Sequence, residues 1–322
     1  MQNLVTVFGG SGFIGAQVVR GLAKAGFRIR VAVRQPNLAY AMRLRGDVGQ
    51  IDVVQANIRN EASVRRALEG ASIAINLVGV LYEAGRQTFD DVHTDGTHTI
   101  AEVAKAMGVE KLIQMSALGA DAQSPSHYAR SKAAGEAAVL AVYPDAVIVR
   151  PSVVFGVDDK FFNKFAAMAA ISPVLPLVGG GHTRFQPVFV GDVAQAITAL
   201  AGDSAARGVY ELGGRQTLTF KELLELMLAE TDRRRLLLPL PFAAAKVIGA
   251  VGDMVASVIA PPLTSDQVEL LRTDNVVSGA YPGLPELGIT AATLQAVLPT
   301  YLYRYRKGGQ YADQEDREMA AL

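Results

Sequence analysis

The stretch that decides the fold is Leu4-Val-Thr-Val-Phe8-Gly9-Gly10-Ser11-Gly12-Phe13-Ile14-Gly15. An apolar run of strand character enters a glycine turn, and Phe13–Ala25 follows with apolar residues at helical spacing. The turn holds G-x-G-x-x-G (Gly10, Gly12, Gly15) and, in overlap, G-x-x-G-x-x-G (Gly9, Gly12, Gly15). One glycine is needed to turn sharply, one to let backbone amides approach a pyrophosphate, and one to let the helix pack on the sheet. The helix then offers free N–H groups and its positive dipole end to the phosphates. Gly9, Gly10, Ser11, Gly12, Phe13, Ile14 and Gly15 are therefore the expected dinucleotide cradle.

Outward from that turn, strand-like runs recur at Arg28–Val33, Ile51–Gln55, Ile73–Val78, Lys111–Met115 and Val147–Arg150. Helical spacing fills the intervals at Glu61–Leu68, Thr97–Met107 and Ser131–Val142, and Gly26, Gly70 and Gly108 stand where helices end. Strands alternating with helices predict right-handed βαβ units and a parallel α/β sheet covered on both faces. Pro151 is expected to stop the sixth strand. Beyond residue 155 the rhythm breaks: a helix is expected at Phe161–Ile171, a Pro/Gly-rich loop at Ser172–Gly181, and short strands at Pro187–Val190 and Val209–Leu212 around a helix at Asp192–Leu200. Helices are expected again at Phe220–Glu230 and Thr264–Leu271. This divides the chain into 1–156, rejoined by 187–213, and a smaller lobe of 157–186 and 214–322.

The 322 residues are half hydrophobic, 19% charged and balanced at 31 basic against 31 acidic side chains. Such a chain is too apolar for disorder, and its zero formal charge gives no footprint for nucleic acid. With no Cys, a disulfide framework, thiolate metal site or thiol nucleophile is excluded. The four histidines are scattered, so no metal is expected. The chain starts in a strand-like run without a basic n-region, so no signal peptide is expected. The longest apolar segment, Phe242–Ala260, carries Lys246 and Asp253 and is not expected to span a bilayer. Together with Leu236–Leu-Leu-Pro-Leu-Pro-Phe242 it either packs beneath the sheet or faces a partner or bilayer interface. The tail from Tyr301 to Lys307 is basic and aromatic and the last ten residues acidic, which suits a solvated terminus or a contact.

The second strand ends in Arg34, and no Asp or Glu occurs between Gly15 and Asp47. An NAD site would place an acidic residue there for the ribose hydroxyls; a cation suits a 2′-phosphate, so NADPH is expected, with Arg43 or Arg45 as helpers. The fifth strand leads to Ser116, and Tyr128-Ala-Arg-Ser-Lys132 follows. On a helix Lys132 lies one turn beyond Tyr128, where its ammonium would lower the phenol's pKa from about 10. Such a tyrosine serves as acid or base towards a carbonyl or alcohol while a serine fixes the oxygen.

The glycine turn, Ser116 and Tyr128-x-x-x-Lys132 together resemble the short-chain dehydrogenase/reductase superfamily in its extended branch. Asn76-Leu77-Val78-Gly79, Val149-Arg-Pro151 and Pro187-Val-Phe-Val-Gly-Asp192 are similar to that branch too. The resemblance spans nearly the whole chain and implies a doubly wound Rossmann sheet with a smaller C-terminal lobe. It implies that Tyr128 is the acid/base, that Lys132 orients the nicotinamide ribose, and that Ser116 positions the substrate. It places Asn57, Ile58, Leu77, Val78, Gly79, Pro151 and Val154 along the cofactor. Two departures stand out: Gln55-Ala-Asn57-Ile58 lacks the usual acidic residue, and Val92-His93-Thr-Asp-Gly-Thr97 has histidine where a relay asparagine is common.

Phe155-Gly156, Phe161-Phe-Asn163, Pro261-Pro-Leu-Thr-Ser-Asp-Gln-Val-Glu-Leu-Leu271, Asp274-Asn-Val-Val-Ser278 and Tyr301-Leu-Tyr-Arg-Tyr-Arg306 resemble one atypical subgroup. It comprises the nucleotide-binding accessory subunits of respiratory complex I and their bacterial relatives. This resemblance implies NADPH held as a structural cofactor without turnover. It also implies peripheral-arm partners, a place at the cytoplasmic face of the inner membrane, and contact with the membrane surface through 236–260. The alternatives are a free NADP-dependent oxidoreductase or sugar-nucleotide epimerase, and a regulator that senses the NADP pool.

Overall fold

The computed structural model describes residues 3–256, 261 and 263–309. The first half runs β1 (Leu4–Phe8), α1 (Phe13–Lys24), β2 (Arg28–Val33), β3 (Ile51–Gln55), α2 (Glu61–Leu68), β4 (Ile73–Asn76), α3 (Gly96–Ala106), β5 (Lys111–Met115), α4 (His127–Val142) and β6 (Val147–Pro151). The second continues with β7 (Val154–Phe155), α5 (Phe162–Ile171), β8 (Val174–Val178), β9 (Arg184–Phe185), β10 (Val188–Phe189), α6 (Val190–Gly202), β11 (Gly208–Leu212), β12 (Leu218–Thr219) and α7 (Phe220–Glu230). It ends with β13 (Leu236–Leu240), α8 (Phe242–Val255), α9 (Ser265–Leu270), α10 (Leu294–Val297) and α11 (Pro299–Leu302).

Seven strands form one sheet in the order β11-β6-β5-β4-β1-β2-β3, every pair parallel. Because strand side chains alternate, Val147 and Val149 point to one layer and Ile148 to the other. The first layer packs α1 and α6 on the sheet; the second packs α2, α3 and α4. This is the doubly wound parallel α/β architecture expected. The strand order reverses at β1, so the loops after β1 and β4 meet at the carboxyl edge, where open α/β sheets bind ligands.

A separate apolar cluster gathers α5, α7 and α11 around Phe155, Phe162, Phe220 and Tyr301. The segment carrying Leu284 and Ile289 packs with the first layer of the sheet, and Pro282 accepts the Glu211 amide. Thus part of 214–322 returns to the sheet.

Several local expectations need correction. Ser172–Gly181 is not all loop, because Val174–Val178 pairs in parallel with Leu236–Leu240. Pro176 and Pro239 hid this pairing; a two-stranded ladder has outer edges on which proline's missing N–H is no loss. The fourth strand stops at Asn76, whose side chain folds back to accept the Val78 amide. The sixth strand includes Pro151, opposite Leu212. The third helix begins earlier than Thr97, through a π-helical turn at Asp90–Asp95. The fourth begins at His127, capped by Ser126. No helix among the described residues is long and apolar enough to cross a membrane. Residues 257–260 of the apolar segment, Pro262 and the acidic tail lie outside the described residues.

Candidate functional site

The site is built on the carboxyl edge of the sheet. Gly9 adopts φ +75°, a left-handed conformation that favours glycine, and a Cβ there would press on the Leu77 backbone at 3.2 Å. A Cβ on Gly15 would collide with the Gly9 carbonyl, so the turn and α1 touch backbone to backbone. Gly12 is the N-cap of α1; it supplies no capping side chain, and the first turn has no acidic residue. Ser11 and Gly12 are exposed while Gly15 is buried. An uncapped, exposed helix start behind a glycine turn has the donors and the field for a pyrophosphate.

The loop after β4 is fixed from two sides. Asn76 Nδ2 donates to Gln114 Oε1 (2.9 Å) and Thr97 Oγ1 (3.2 Å), and its Oδ1 receives Val78 N at 3.1 Å. The Val80 amide donates to His93 Nε2 at 3.0 Å. His93 Nδ1 therefore carries the proton and donates to Ser131 Oγ at 2.9 Å, and Ser131 donates to the Tyr128 carbonyl. Burial, reinforced by Lys132 and His127, lowers the His93 pKa to about 2, so the ring is neutral. Gly79 leaves room at the centre: a Cβ there would stand 3.3 Å from Lys132 Nζ and 3.5 Å from His93 Nε2.

The fourth helix brings in Tyr128 and Lys132, with Lys132 Nζ 5.8 Å from the Tyr128 ring centroid. Lys132 is buried, reaches the Met115 carbonyl at 3.5 Å, and is brought down to about 8 by burial, with Glu136 opposing. Next along, the buried Ser116 Oγ has no hydrogen-bond partner among the described residues. An orphaned hydroxyl at the end of a central strand fits a ligand oxygen. Tyr128 runs against expectation: burial, with Asp266 nearby, pushes its hydroxyl up to about 12. The lysine does not prevail in this geometry, since desolvation penalises the phenolate and α9 adds a like charge.

Arg34 stands exposed at the end of β2 and donates to Gln87 Oε1 at 2.7 Å. Arg43 pairs with Asp52, at the start of β3, at 3.2 Å, and lies over Tyr40. Arg45 closes the same short 3₁₀ segment on the way back to β3. Asn57 serves its own turn, accepting the Arg59 amide at 3.1 Å, and Ile58 is buried against Gly96. Leu77, Val78 and Val154 are partly buried against the sheet cores, and Pro151 is buried. The sequence reading missed Arg59, which bonds the Arg86 carbonyl at 2.7 Å beside Arg34's loop, Phe89, which stacks on His93, and Asp266. An arginine four residues past the end of β3 was a signal for the first; nothing local marked the others. Among the described residues no group of three His, Asp or Glu could hold a metal.

The NAD dependent epimerase/dehydratase family model matches residues 5–213. A relative from Arabidopsis thaliana, "NADH dehydrogenase [ubiquinone] 1 alpha subcomplex subunit 9, mitochondrial", is 37% identical over 95% of this chain and 79% of its own. A "Ceramide reductase" of Caulobacter vibrioides is 32% identical over 87% of each. Among solved structures, an NADPH-dependent quinone oxidoreductase of Escherichia coli complexed with NADPH aligns with a TM-score of 0.71 at 21% identity. It covers 92% of this chain and 98% of that one, a likeness of fold.

Proposed function

The chain belongs to the NAD dependent epimerase/dehydratase family, and from that premise we propose that it is a nucleotide-holding accessory subunit of respiratory complex I. It grips NADPH in the Gly9–Gly15 turn, with Arg34 on the 2′-phosphate, and docks on peripheral-arm subunits at the cytoplasmic face of the membrane. The observation that carries this reading is the pairing of an exposed, uncapped α1 start with apolar side chains on β13 and α8 that stand exposed. The naming of the Arabidopsis relative as a subunit of an NADH dehydrogenase supports the partner. Leu236, Leu238, Val247, Val251 and Met254 are the side chains we assign to contact with partner or membrane surface.

When bound, the nicotinamide would bring hydride chemistry. This chain's own groups favour holding over turnover. Burial and Asp266 oppose the Tyr128 phenolate, Ser131 and His93 are hydrogen-bonded to each other, and the His93 ring stands beside Lys132 Nζ, where the family commonly has its relay asparagine. Binding to the folded state stabilises it by mass action, which suffices for a subunit whose cofactor is structural.

A second reading, a free NADP-dependent reductase, is favoured by the ceramide reductase relative and the retained Ser116, Tyr128 and Lys132. Two variants in native cells separate them. Under the first reading Tyr128→Phe leaves assembly and growth intact, while Arg34→Glu weakens NADPH binding at least tenfold and releases the protein from the membrane complex. Loss of function in Tyr128→Phe with normal complex assembly would favour the reductase.

A further inference from the structure

The carboxylate of Asp266, carried by α9, sits on the first turn of α4. It accepts Ser126 Oγ at 2.8 Å, the His127 amide at 2.6 Å and the Tyr128 amide at 3.2 Å. A negative charge is favoured at a helix start, where amides have no partner within the helix. The next turn of α4 carries Ser131 and Lys132, so the contact acts on the helix that supplies the site.

The ninth helix is fastened to the eighth by backbone contact. A Cβ on Gly249 would stand 2.6 Å from the Ser265 nitrogen, and one on Gly252 would collide with the Leu263 carbonyl. Asp253 accepts the Ser265 amide at 3.3 Å, and Lys246 Nζ meets Glu269 at 3.0 Å. Among the described residues these helices share with the strand beside them a small apolar cluster, Val178, Ala245 and Val268, with Leu240, Phe242, Leu263 and Leu271 packed against it. A unit with so little core opens at low cost compared with the sheet. Another bond towards the site, Gln267 Nε2 to the Leu81 carbonyl, is exposed and 3.5 Å long.

We infer that Asp266 is a positioning residue that couples the dinucleotide site to the apolar face of α8. Seated on α4, it holds the turn bearing Tyr128 and Lys132 and fixes α8 in its docking position. Occupancy of either site then strengthens the other, because coupling is reciprocal. This rests on the reading of the two sites given above.

Amide hydrogen exchange of the full chain, with and without saturating NADPH, tests it. In the unaltered protein NADPH slows exchange at residues 9–15, at 126–132 and, by about tenfold, in α8 and α9. In Asp266→Ala, and in the isosteric Asp266→Asn should the alanine variant fail to fold, slowing persists at 9–15 and disappears from α8 and α9. A merely structural role would raise exchange equally in both nucleotide states. Protection of α8 and α9 by NADPH in the variants overturns the inference, as does its absence in the unaltered protein when 9–15 is protected. No protection at 9–15 would overturn the nucleotide reading itself, and this inference with it.

Discussion

In the sheet, Val147, Ile148 and Val149 are wholly buried between two helical layers. In α8, Val247, Val251 and Met254 stand 67%, 58% and 80% exposed, and Leu236 and Leu238 of β13 are exposed too. The two regions are similarly apolar in sequence and differ in what surrounds them. The sheet has helices on both faces, so each apolar residue finds cover inside the chain. The eighth helix uses Gly249, Gly252 and Ala245 to press its narrow side on α9 and Val178, which turns its larger side chains outward. Apolar surface left out in this way marks a contact with something else. Covering these side chains would contribute roughly 1 kcal/mol each before association costs. The first region thus holds the molecule together, and the second, on the function proposed above, connects it to its surroundings.

The sharpest way to break this contrast is to change one side of it at a time, crowding the glycine turn at the sheet edge and charging the exposed face of α8. Gly15→Ala drives a Cβ into the Gly9 carbonyl, so thermal unfolding should show a loss of about 1–3 kcal/mol and NADPH titration no measurable binding. An unchanged melting temperature would mean that the turn is looser than its backbone contact implies. On the other side, Val251→Asp with Met254→Asp should alter stability by no more than about 0.5 kcal/mol yet move the protein from the membrane fraction to the soluble one. Melting of this variant together with the core would show that α8 is core after all.

A smaller effect probes the join between the regions. His93 is neutral in the folded chain down to about pH 2, against an ordinary value of 6.5. The unfolded chain therefore binds one more proton throughout that window, and stability falls as pH drops below about 6.5. The slope from this group is about 1.4 kcal/mol per pH unit. Urea unfolding at pH 7, 6 and 5 should give His93→Asn a slope shallower by about one proton; equal slopes would contradict the neutral, Val80-bonded ring.

What could be read from the sequence was what is local. The glycine turn, the strand–helix alternation, and the serine, tyrosine and lysine sit on contiguous motifs whose geometry follows from spacing. The structure brings Lys132 beside Tyr128 and aligns Ser116 at the strand end. What stayed hidden depends on distant chain: Asp266 reaches α4 across 138 residues, and burial, with the Asp266 charge added, reverses the expected shift on Tyr128. Arg43 could be counted as a cation, but its turn towards Asp52 depends on the path of the chain back to β3. The fate of 236–260 was undecided for the same reason, since hydropathy gives an amount of apolar surface and not its cover.

The most direct test of the account is chemical. Protein isolated from its native membranes without added nucleotide is denatured, and the released small molecules are quantified by mass spectrometry. The account predicts NADP(H) in stoichiometric amount and its loss in Arg34→Glu. Release of NAD(H) in its place, or of no adenine or nicotinamide at all from material that rebinds neither, would contradict it.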